Sequence, residues 1–284
     1  MNAIADLLTR LIAAARASNP NRPALIGVGG AQGSGKSYQC RAYAAAHPRV
    51  AHFSLDDVYL TRAEREARAD IYANEAPVRR NGRFEIEKCD RPELRSLFLT
   101  RGPPGTHDLR LAGGLIARLG SALPTFIPRF DKSRDDRAND EAWAAFAGPA
   151  DAILMDGWCM GALPPVMSPP INDVEASDAE DTKGGWIWQN RIIYELTSTY
   201  AHFFAAFDAL IYLQAPSWEI VRVWRGQQEA ETLGRPLTRE ENAALDRFVM
   251  HYERVTRAML AGHHCAQWVV HLDEERDVVR VDAK

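Results

Sequence analysis

Short apolar runs alternate with longer amphipathic stretches along most of the chain. The apolar runs, partly rich in β-branched residues, predict strands at Ala24–Val28, Val50–Leu55, Ile153–Met155, Ala209–Leu213 and Trp268–Leu272. The amphipathic stretches predict helices at Gly35–Ala46, Asp108–Leu119, Asn190–Phe204, Trp218–Glu231 and Arg239–Leu260. This alternation is typical of a mostly parallel α/β sheet that is covered by helices.

Two further segments have patterns of their own. Near the N-terminus, apolar residues recur at helical spacing from Ile4 to Ile12, which predicts an amphipathic helix that ends before Pro20. Residues 166–185 are rich in acidic side chains and poor in apolar ones after Ile171. We interpret residues 166–185 as a mobile surface loop, which is either an insertion without function or a lid.

Composition and charge narrow the class of protein. The chain has 284 residues, of which 46% are hydrophobic and 25% charged, and its formal net charge is -4. These values are ordinary for a globular chain, and they predict no bulk attraction to nucleic acid or to an anionic membrane. The four cysteines form no CxxC pair, which favours reduced thiols in a cytoplasmic protein. The sequence does not indicate an oligomeric state.

The strongest chemical signal is the segment GAQGSGKS, which follows the first predicted strand and opens a predicted helix. It matches GxxxxGK[ST], a phosphate-binding loop in which backbone N–H groups surround phosphate oxygens. Its lysine is expected to contact the β- and γ-phosphates of ATP, and its final serine to contact Mg²⁺. The candidate ATP-binding residues are Gly30, Gly33, Ser34, Gly35, Lys36 and Ser37.

Carboxylates follow two of the predicted strands, at the end where parallel sheets bind ligands. Asp56 and Asp57 come after the second strand, where one of them can take the proton of an attacking hydroxyl, although both can also cap the next turn. Asp156 comes after the third strand, where it is a candidate Mg²⁺ ligand, directly or through water.

Charged loops and one helix supply candidate substrate residues. In the turn RGPPGTHD, Asp108 can cap the following helix, whereas Arg101 and His107 are not needed for a cap. Lys132 and Arg137 lie in a dense charged loop and can hold an anionic substrate or be solvated. A further pair, Arg222 and Arg225, shares one helix face that can close over ATP.

Seven motifs occur together in one order: IGVGGAQGSGKS, SLDDVYLT, RGPPGTHDL, PRFDKS, DAILMDGWCMG, VWRGQQE and FVMHYE. This set resembles the P-loop D-glycerate 3-kinases of plants, fungi and bacteria, which are relatives of uridine kinase, pantothenate kinase and phosphoribulokinase. The resemblance runs from about residue 26 to about residue 252.

The resemblance implies one three-layer α/β/α kinase domain over residues 1–284, with a helical lid at about residues 216–240, and it implies ATP and Mg²⁺. It implies that Asp56 is the general base, with Asp57 as the fallback, and that Lys36 and Arg225 act on the transferring phosphate. Arg222 would join the ATP site. The implied acceptor side comprises Asp57, Tyr59, Arg101, His107, Asp108, Lys132 and Arg137, and the implied metal side comprises Ser37 and Asp156.

The sequence therefore predicts an ATP-dependent kinase that phosphorylates a hydroxyl of a small molecule, with D-glycerate as the preferred acceptor. Pantothenate, a nucleoside or another polar alcohol remain alternative acceptors. A regulatory ATP-binding switch, to which the acidic segment would contribute, remains the alternative from a different class.

Overall fold

A six-stranded sheet forms the centre of the computed structural model, which describes residues 2–92, 95–179 and 187–284. The strands are β1 Ala24–Gly30, β2 Val50–Ser54, β3 Glu75–Arg80, β4 Arg83–Lys88, β5 Thr125–Ile127, β6 Phe130–Asp131, β7 Asp136–Arg137, β8 Ala144–Phe146, β9 Ala152–Gly157, β10 Ala209–Gln214, β11 Trp268–Leu272 and β12 Val278–Ala283. The helices are α1 Ala3–Ser18, α2 Lys36–Ala46, α3 Arg62–Asn74, α4 Arg95–Leu99, α5 Leu109–Leu119, α6 Asp173–Ala179, α7 Ile187–Thr197, α8 Thr199–Phe204, α9 Trp218–Leu233 and α10 Arg239–Leu260.

The central sheet has the strand order β12-β11-β10-β1-β9-β2. All its neighbouring pairs are parallel except β11 with β12, which is antiparallel. The five predicted strands are five of its six members, so the prediction of a mostly parallel sheet is confirmed. Strand β12 at the edge was not predicted.

Both faces of the sheet are covered by helices, because successive side chains of a buried strand point to opposite faces. In β1, Leu25 joins the apolar cluster under α5, α7 and α8, whereas Ile26 and Val28 join the cluster under α1, α2 and α9. The predicted three-layer α/β/α class is thereby confirmed.

Two predicted segments differ from the observed structure. The helix predicted over Asn190–Phe204 is interrupted at Ser198, whose φ of -100° and ψ of -91° are not helical, so that α7 and α8 are separate helices. The acidic segment was predicted to be a loop, but its residues 173–179 form α6. Val174 and Glu175 are buried there, and Glu175 pairs with Arg254 at 2.5 Å. Residues 180–185 of that segment lie outside the described residues.

Three two-stranded ribbons lie beside the central sheet: β3 with β4, β5 with β8, and β6 with β7. The sequence did not predict them, because their strands are short and several of their side chains are exposed. Among the described residues, no helix combines the length and the apolar character that crossing a membrane requires.

Candidate active site

The candidate site lies where three parallel strands of the central sheet end. β1 pairs with β9, and β9 pairs with β2, so the segments that follow these strands meet at one edge of the sheet. Gly35 stands at the N-cap of α2 with φ 81°, a left-handed conformation that glycine adopts without strain. The phosphate loop thus turns directly into the positive end of a helix, as anion binding requires.

The loop that precedes α2 has polar atoms without partners. Ser34 Oγ and Gln32 Oε1 are buried and make no hydrogen bond to any of the described residues. Lys36 Nζ donates to the backbone carbonyl of Ala31 at 3.3 Å, and burial lowers the pKa of its ammonium group, against the opposing effect of Asp156. A cation and a hydroxyl held in this way fit the oxygens of a polyphosphate.

The carboxylate of Asp156 lies behind the loop and is fully buried. Ser37 Oγ donates to Asp156 Oδ1 at 2.6 Å, and Ser54 Oγ lies 3.2 Å from the same oxygen. The two residues predicted for Mg²⁺, Ser37 and Asp156, are therefore adjacent. A hydroxyl and a carboxylate are oxygen ligands of the kind that Mg²⁺ prefers.

His52 is a polar residue of this site that the sequence did not reveal. Its Nε2 lies 2.6 Å from Asp156 Oδ2, and the two form a buried hydrogen-bonded pair. On β2, His52 is two residues before Ser54, which pairs in register with Asp156, so His52 shares one face of the sheet with both. The only available signal was a pair of polar residues at alternate positions of an otherwise apolar strand.

Asp56 lies in the segment after β2 and is held by two donors. Lys132 Nζ lies 2.7 Å from Asp56 Oδ2, and Tyr59 Oη donates to Oδ1 at 2.7 Å. Although burial raises the pKa of Asp56, the ammonium of Lys132 and these hydrogen bonds outweigh it and hold that pKa below its ordinary value. Asp56 is therefore ionised at neutral pH and can accept a proton once Lys132 withdraws.

Asp57 has a different position. Its Oδ2 accepts the N–H of Ser54 at 2.8 Å and closes a capping box on the short 3₁₀ helix Leu55–Val58. Burial, together with the charges of Asp156 and Asp56, raises the pKa of Asp57 to about 6, although the hydrogen bond from Ser54 opposes that rise. The two carboxylates thus have separate surroundings, and Asp56 is the one that faces Lys132.

The turn that carries His107 lies against the segment after β2. The rings of His107 and Tyr59 stack with their centroids 4.8 Å apart, and Tyr59 also meets Phe130 edge-on at 5.0 Å. His107 Nδ1 lies 2.5 Å from Tyr200 Oη, whereas Nε2 is buried without a partner among the described residues. Burial lowers the pKa of His107 to about 3, so its imidazole is neutral at physiological pH.

Two arginines of the predicted acceptor side already have acidic partners. Arg101 Nη1 lies 2.5 Å from Oδ1 of Asp135, a carboxylate that the buried Arg65 also contacts. Arg137 donates to the carbonyl of Tyr59 at 2.9 Å and lies 3.6 Å from Asp108.

Asp108 itself caps α5 through the N–H of Leu111. Its capping role is therefore visible in the structure, and its contact with a substrate stays a prediction.

The two arginines predicted for the lid helix differ in their surroundings. The guanidinium of Arg225 lies 6.0 Å from the ring centroid of Phe248, and that of Arg101 lies 5.9 Å from the same ring. Arg225 is thus near the predicted acceptor side. Arg222 pairs with Asp246 and is about half exposed, so it is not brought into the site.

A second residue that the sequence did not reveal is Arg276, in the turn between β11 and β12. Its Nε donates to the carbonyl of Gly33 at 2.6 Å, and its guanidinium lies over the ring of Trp224 at 4.8 Å. Gly33 has φ +77°, and a Cβ there would lie 2.5 Å from Trp224 Cβ. The tip of the phosphate loop is therefore packed between α9 and the C-terminal hairpin.

A cleft of about 620 Å³ opens on the side of His107, between α3 and the helices α7 and α8. Neither Asp56 nor Lys36 is among the described residues that line it. His107 and Asp108 of the predicted acceptor side do line it, and the position of an acceptor hydroxyl beside Asp56 stays a prediction.

Comparison with known proteins finds similarity to kinases. No family model matches the chain. Uncharacterized kinase mug58 of Schizosaccharomyces pombe is 29% identical over 277 residues, which cover 90% of this chain and 90% of that protein. Probable ATP-dependent kinase TDA10 of Saccharomyces cerevisiae is 25% identical over 256 residues, which cover 81% of this chain and 77% of that protein.

Among solved structures, D-glycerate 3-kinase from Cryptococcus neoformans matches with a TM-score of 0.70 and 21% identity, covering 100% of both chains. At that identity the match establishes the fold. The chain therefore has the fold of the P-loop kinases. The resemblance that its motifs carry is confirmed at the level of the fold.

Proposed function

We propose that the chain is an ATP-dependent kinase that transfers the γ-phosphate to a hydroxyl of D-glycerate. The observation that supports the proposal best is the ionised Asp56, held 2.7 Å from Lys132 at the sheet edge that also carries the phosphate loop. A general base, a cation and a phosphate-binding loop at one edge are the groups that phosphoryl transfer to an alcohol requires.

Each group has a defined part in the proposed reaction. Lys36 and the N–H groups at the start of α2 bind the phosphates of ATP, and Ser37 with Asp156 would hold Mg²⁺. The metal would neutralise charge on the phosphates. His52 fixes the orientation of Asp156 through the 2.6 Å hydrogen bond to its second oxygen.

The acceptor side performs the proton transfer. A primary hydroxyl that lies within hydrogen-bond reach of Asp56 loses its proton to the carboxylate as its oxygen attacks the γ-phosphorus, and the bond from that phosphorus to the β–γ bridging oxygen breaks to release ADP. Lys132 must leave Asp56 for this step, and the carboxylate of an acceptor such as glycerate gives its ammonium a new anionic partner. Arg225, which now pairs with Glu229 at 2.7 Å, would exchange that partner for negative charge on the transferring group.

An ATP-binding switch that works by docking a partner is the second candidate. It needs the phosphate loop but no base on the acceptor side. The paired Asp56 and Lys132 favour the kinase.

The test is ADP release in the presence of Mg²⁺ with D-glycerate, glycerol, pantothenate and uridine at equal concentration. We expect D-glycerate to stimulate release well above the rate without acceptor, and glycerol to stimulate it far less. If only another acceptor stimulates ADP release, the kinase proposal holds and D-glycerate is excluded as the acceptor. If no acceptor stimulates it, the ATP-binding switch is favoured.

A further inference from the structure

Three potential metal ligands from three elements converge beside the phosphate loop. Cys40 on α2, His52 on β2 and Asp156 on β9 each offer one ligand atom, and these atoms lie within 4.8 Å of one another. Cys40 and Asp156 are fully buried, and the side chain of His52 is 10% exposed. No other group of this kind occurs among the described residues.

Regular secondary structure fixes this arrangement. Cys40 follows Ser37 by three residues on α2, so both lie on one face of the helix. His52 and Asp156 occupy the face of the sheet that α2 covers, where Cys40 packs against the same apolar cluster as Leu154. The convergence therefore depends on helix and strand positions and not on a loop.

The donor set is suited to a different ion from the one that the phosphate loop binds. Mg²⁺ prefers oxygen ligands, so a thiol has no part in its coordination. Thiolate, imidazole and carboxylate together are ligands of Zn²⁺, and three protein ligands leave its fourth position open. We propose that Cys40, His52 and Asp156 form an inhibitory site for a thiophilic divalent cation such as Zn²⁺.

The three ligand atoms, which lie within 4.8 Å of one another, must adjust to bonding distances, and binding requires no oxidant or reductant. Burial, together with the charge of Asp156, raises the pKa of the Cys40 thiol, so the cation itself must displace the thiol proton, which passes to solvent. The sulfur, the imidazole nitrogen and a carboxylate oxygen then each donate an electron pair to the cation. Bonds of about 2.0–2.3 Å at tetrahedral angles place ligand atoms roughly 3.3–3.7 Å apart. His52 Nε2 and Asp156 Oδ2 are now 2.6 Å apart, so their hydrogen bond must open by about 1 Å.

Occupancy of this site has a direct consequence for the proposed reaction. Asp156 also accepts a hydrogen bond from the hydroxyl of Ser37 at 2.6 Å. Its carboxylate cannot fully coordinate two cations at once. A thiophilic cation bound to Asp156 therefore competes with Mg²⁺. The inhibition therefore rests on the proposed function, whereas the binding of the cation does not.

Binding is tested with Co²⁺ as a spectroscopic probe, added to the full-length protein under reducing conditions without Mg²⁺. We expect a thiolate-to-cobalt charge-transfer absorption in the wild type, and we expect Cys40→Ser and Cys40→Ala to lose it. Cys265→Ser is the matched control, because Cys265 follows His263 and His264 and is the competing thiol. Thermal unfolding of each variant establishes that it is folded.

Inhibition is tested by ADP release at fixed ATP with increasing Zn²⁺. We expect Zn²⁺ to inhibit competitively with Mg²⁺, and the inhibitory concentration to rise at least about tenfold in Cys40→Ser but not in Cys265→Ser. A cobalt band without any ATP turnover supports the site and contradicts the proposed function. The site is overturned if the wild type gives no thiolate band, or if the folded Cys40 variants keep the band or the zinc sensitivity.

Discussion

At the scale of single residues, the candidate base and its cation form the most specific feature of the site. Asp56 is one-third exposed and Lys132 is about half exposed, so the ion pair between them is accessible to an acceptor. An exposed ion pair adds little to stability, so we propose that this one serves binding and proton transfer. Two substitutions separate these two roles.

Asp56→Asn removes the proton acceptor but keeps the shape of the side chain. We expect turnover to fall by roughly 10²–10⁴-fold while ATP affinity stays near that of the wild type, because the side-chain hydrogen bonds of Asp56 go to Tyr59 and Lys132 and not to the phosphate loop. Steady-state kinetics and a nucleotide-binding titration measure the two effects. Asp131→Asn, in the loop that carries Lys132, is the control and should retain activity. If the chemical step is rate-limiting and turnover falls less than tenfold, Asp56 is not the general base.

Lys132→Met tests recognition of the acceptor carboxylate. The loss of the ammonium also changes the basicity of Asp56, which affects every acceptor alike, so the informative quantity is the ratio of kcat/KM for D-glycerate to that for glycerol. A charged hydrogen bond contributes about 1.5–3 kcal/mol, so we expect the ratio to fall by roughly tenfold to a hundredfold. The exposed Arg134→Gln should leave it unchanged. An unchanged ratio in Lys132→Met would show that the carboxylate is bound elsewhere.

At the scale of elements, the 3₁₀ helix after β2 carries a carboxylate that titrates at an unusual pH. The pKa of Asp57 is raised from 3.8 to about 6, so the folded state holds this proton more firmly than the unfolded state does. The contribution of Asp57 to stability is therefore complete below pH 3.8 and is lost as pH rises through about 6.

Asp57→Asn imitates the protonated carboxyl and keeps an acceptor for the N–H of Ser54. The quantity to follow is the free energy of unfolding of the variant minus that of the wild type. We expect this difference to become more positive by roughly 1–3 kcal/mol between pH 4 and pH 7. Chemical denaturation at several pH values measures this difference. A difference that does not change with pH would contradict the raised pKa.

The turn between β11 and β12 supports the phosphate loop through one side chain. Arg276→Ala removes the donor to the carbonyl of Gly33 and the guanidinium that lies over Trp224. We expect KM for ATP to rise several-fold or more, because a charged hydrogen bond that orders the loop is lost. Arg280→Ala, on the exposed part of the same hairpin, is the control. Equal KM values in the two variants would show that the turn does not order the loop.

The sequence predicts elements of this fold well where one periodic pattern determines them. The buried strands beside β1 and the loop GAQGSGKS are local patterns, so their positions followed directly from the sequence. Arg276 lies 243 residues from Gly33, and the partner of His52 lies 104 residues away. No local pattern indicates such contacts, because only the strand order brings these residues together.

The acidic segment shows a second limit of prediction from composition. Its charges indicated a solvated loop, yet Glu175 is buried because Arg254 of α10 neutralises it. A charged residue is predicted to be exposed unless its partner is known. That partner is 79 residues away in the sequence.

At the scale of the whole molecule, the sheet edge collects groups from most of the chain. The phosphate loop comes from residues 30–37, the proposed base from residue 56, the cation that pairs with it from residue 132 and the carboxylate proposed for the metal side from residue 156. Their order along the chain is that of the motifs that carry the resemblance to the D-glycerate 3-kinases. This assembly supports a kinase, whereas a nucleotide switch requires only the first of these parts.

Transfer of labelled phosphate tests this claim most directly. ATP labelled at the γ-phosphate is incubated with the protein, Mg²⁺ and D-glycerate, and the labelled products are separated. The kinase that we propose places the label on the primary hydroxyl of glycerate, and Asp56→Asn strongly reduces this transfer. Label that appears as inorganic phosphate alone, at the same rate with and without glycerate, would contradict the assignment.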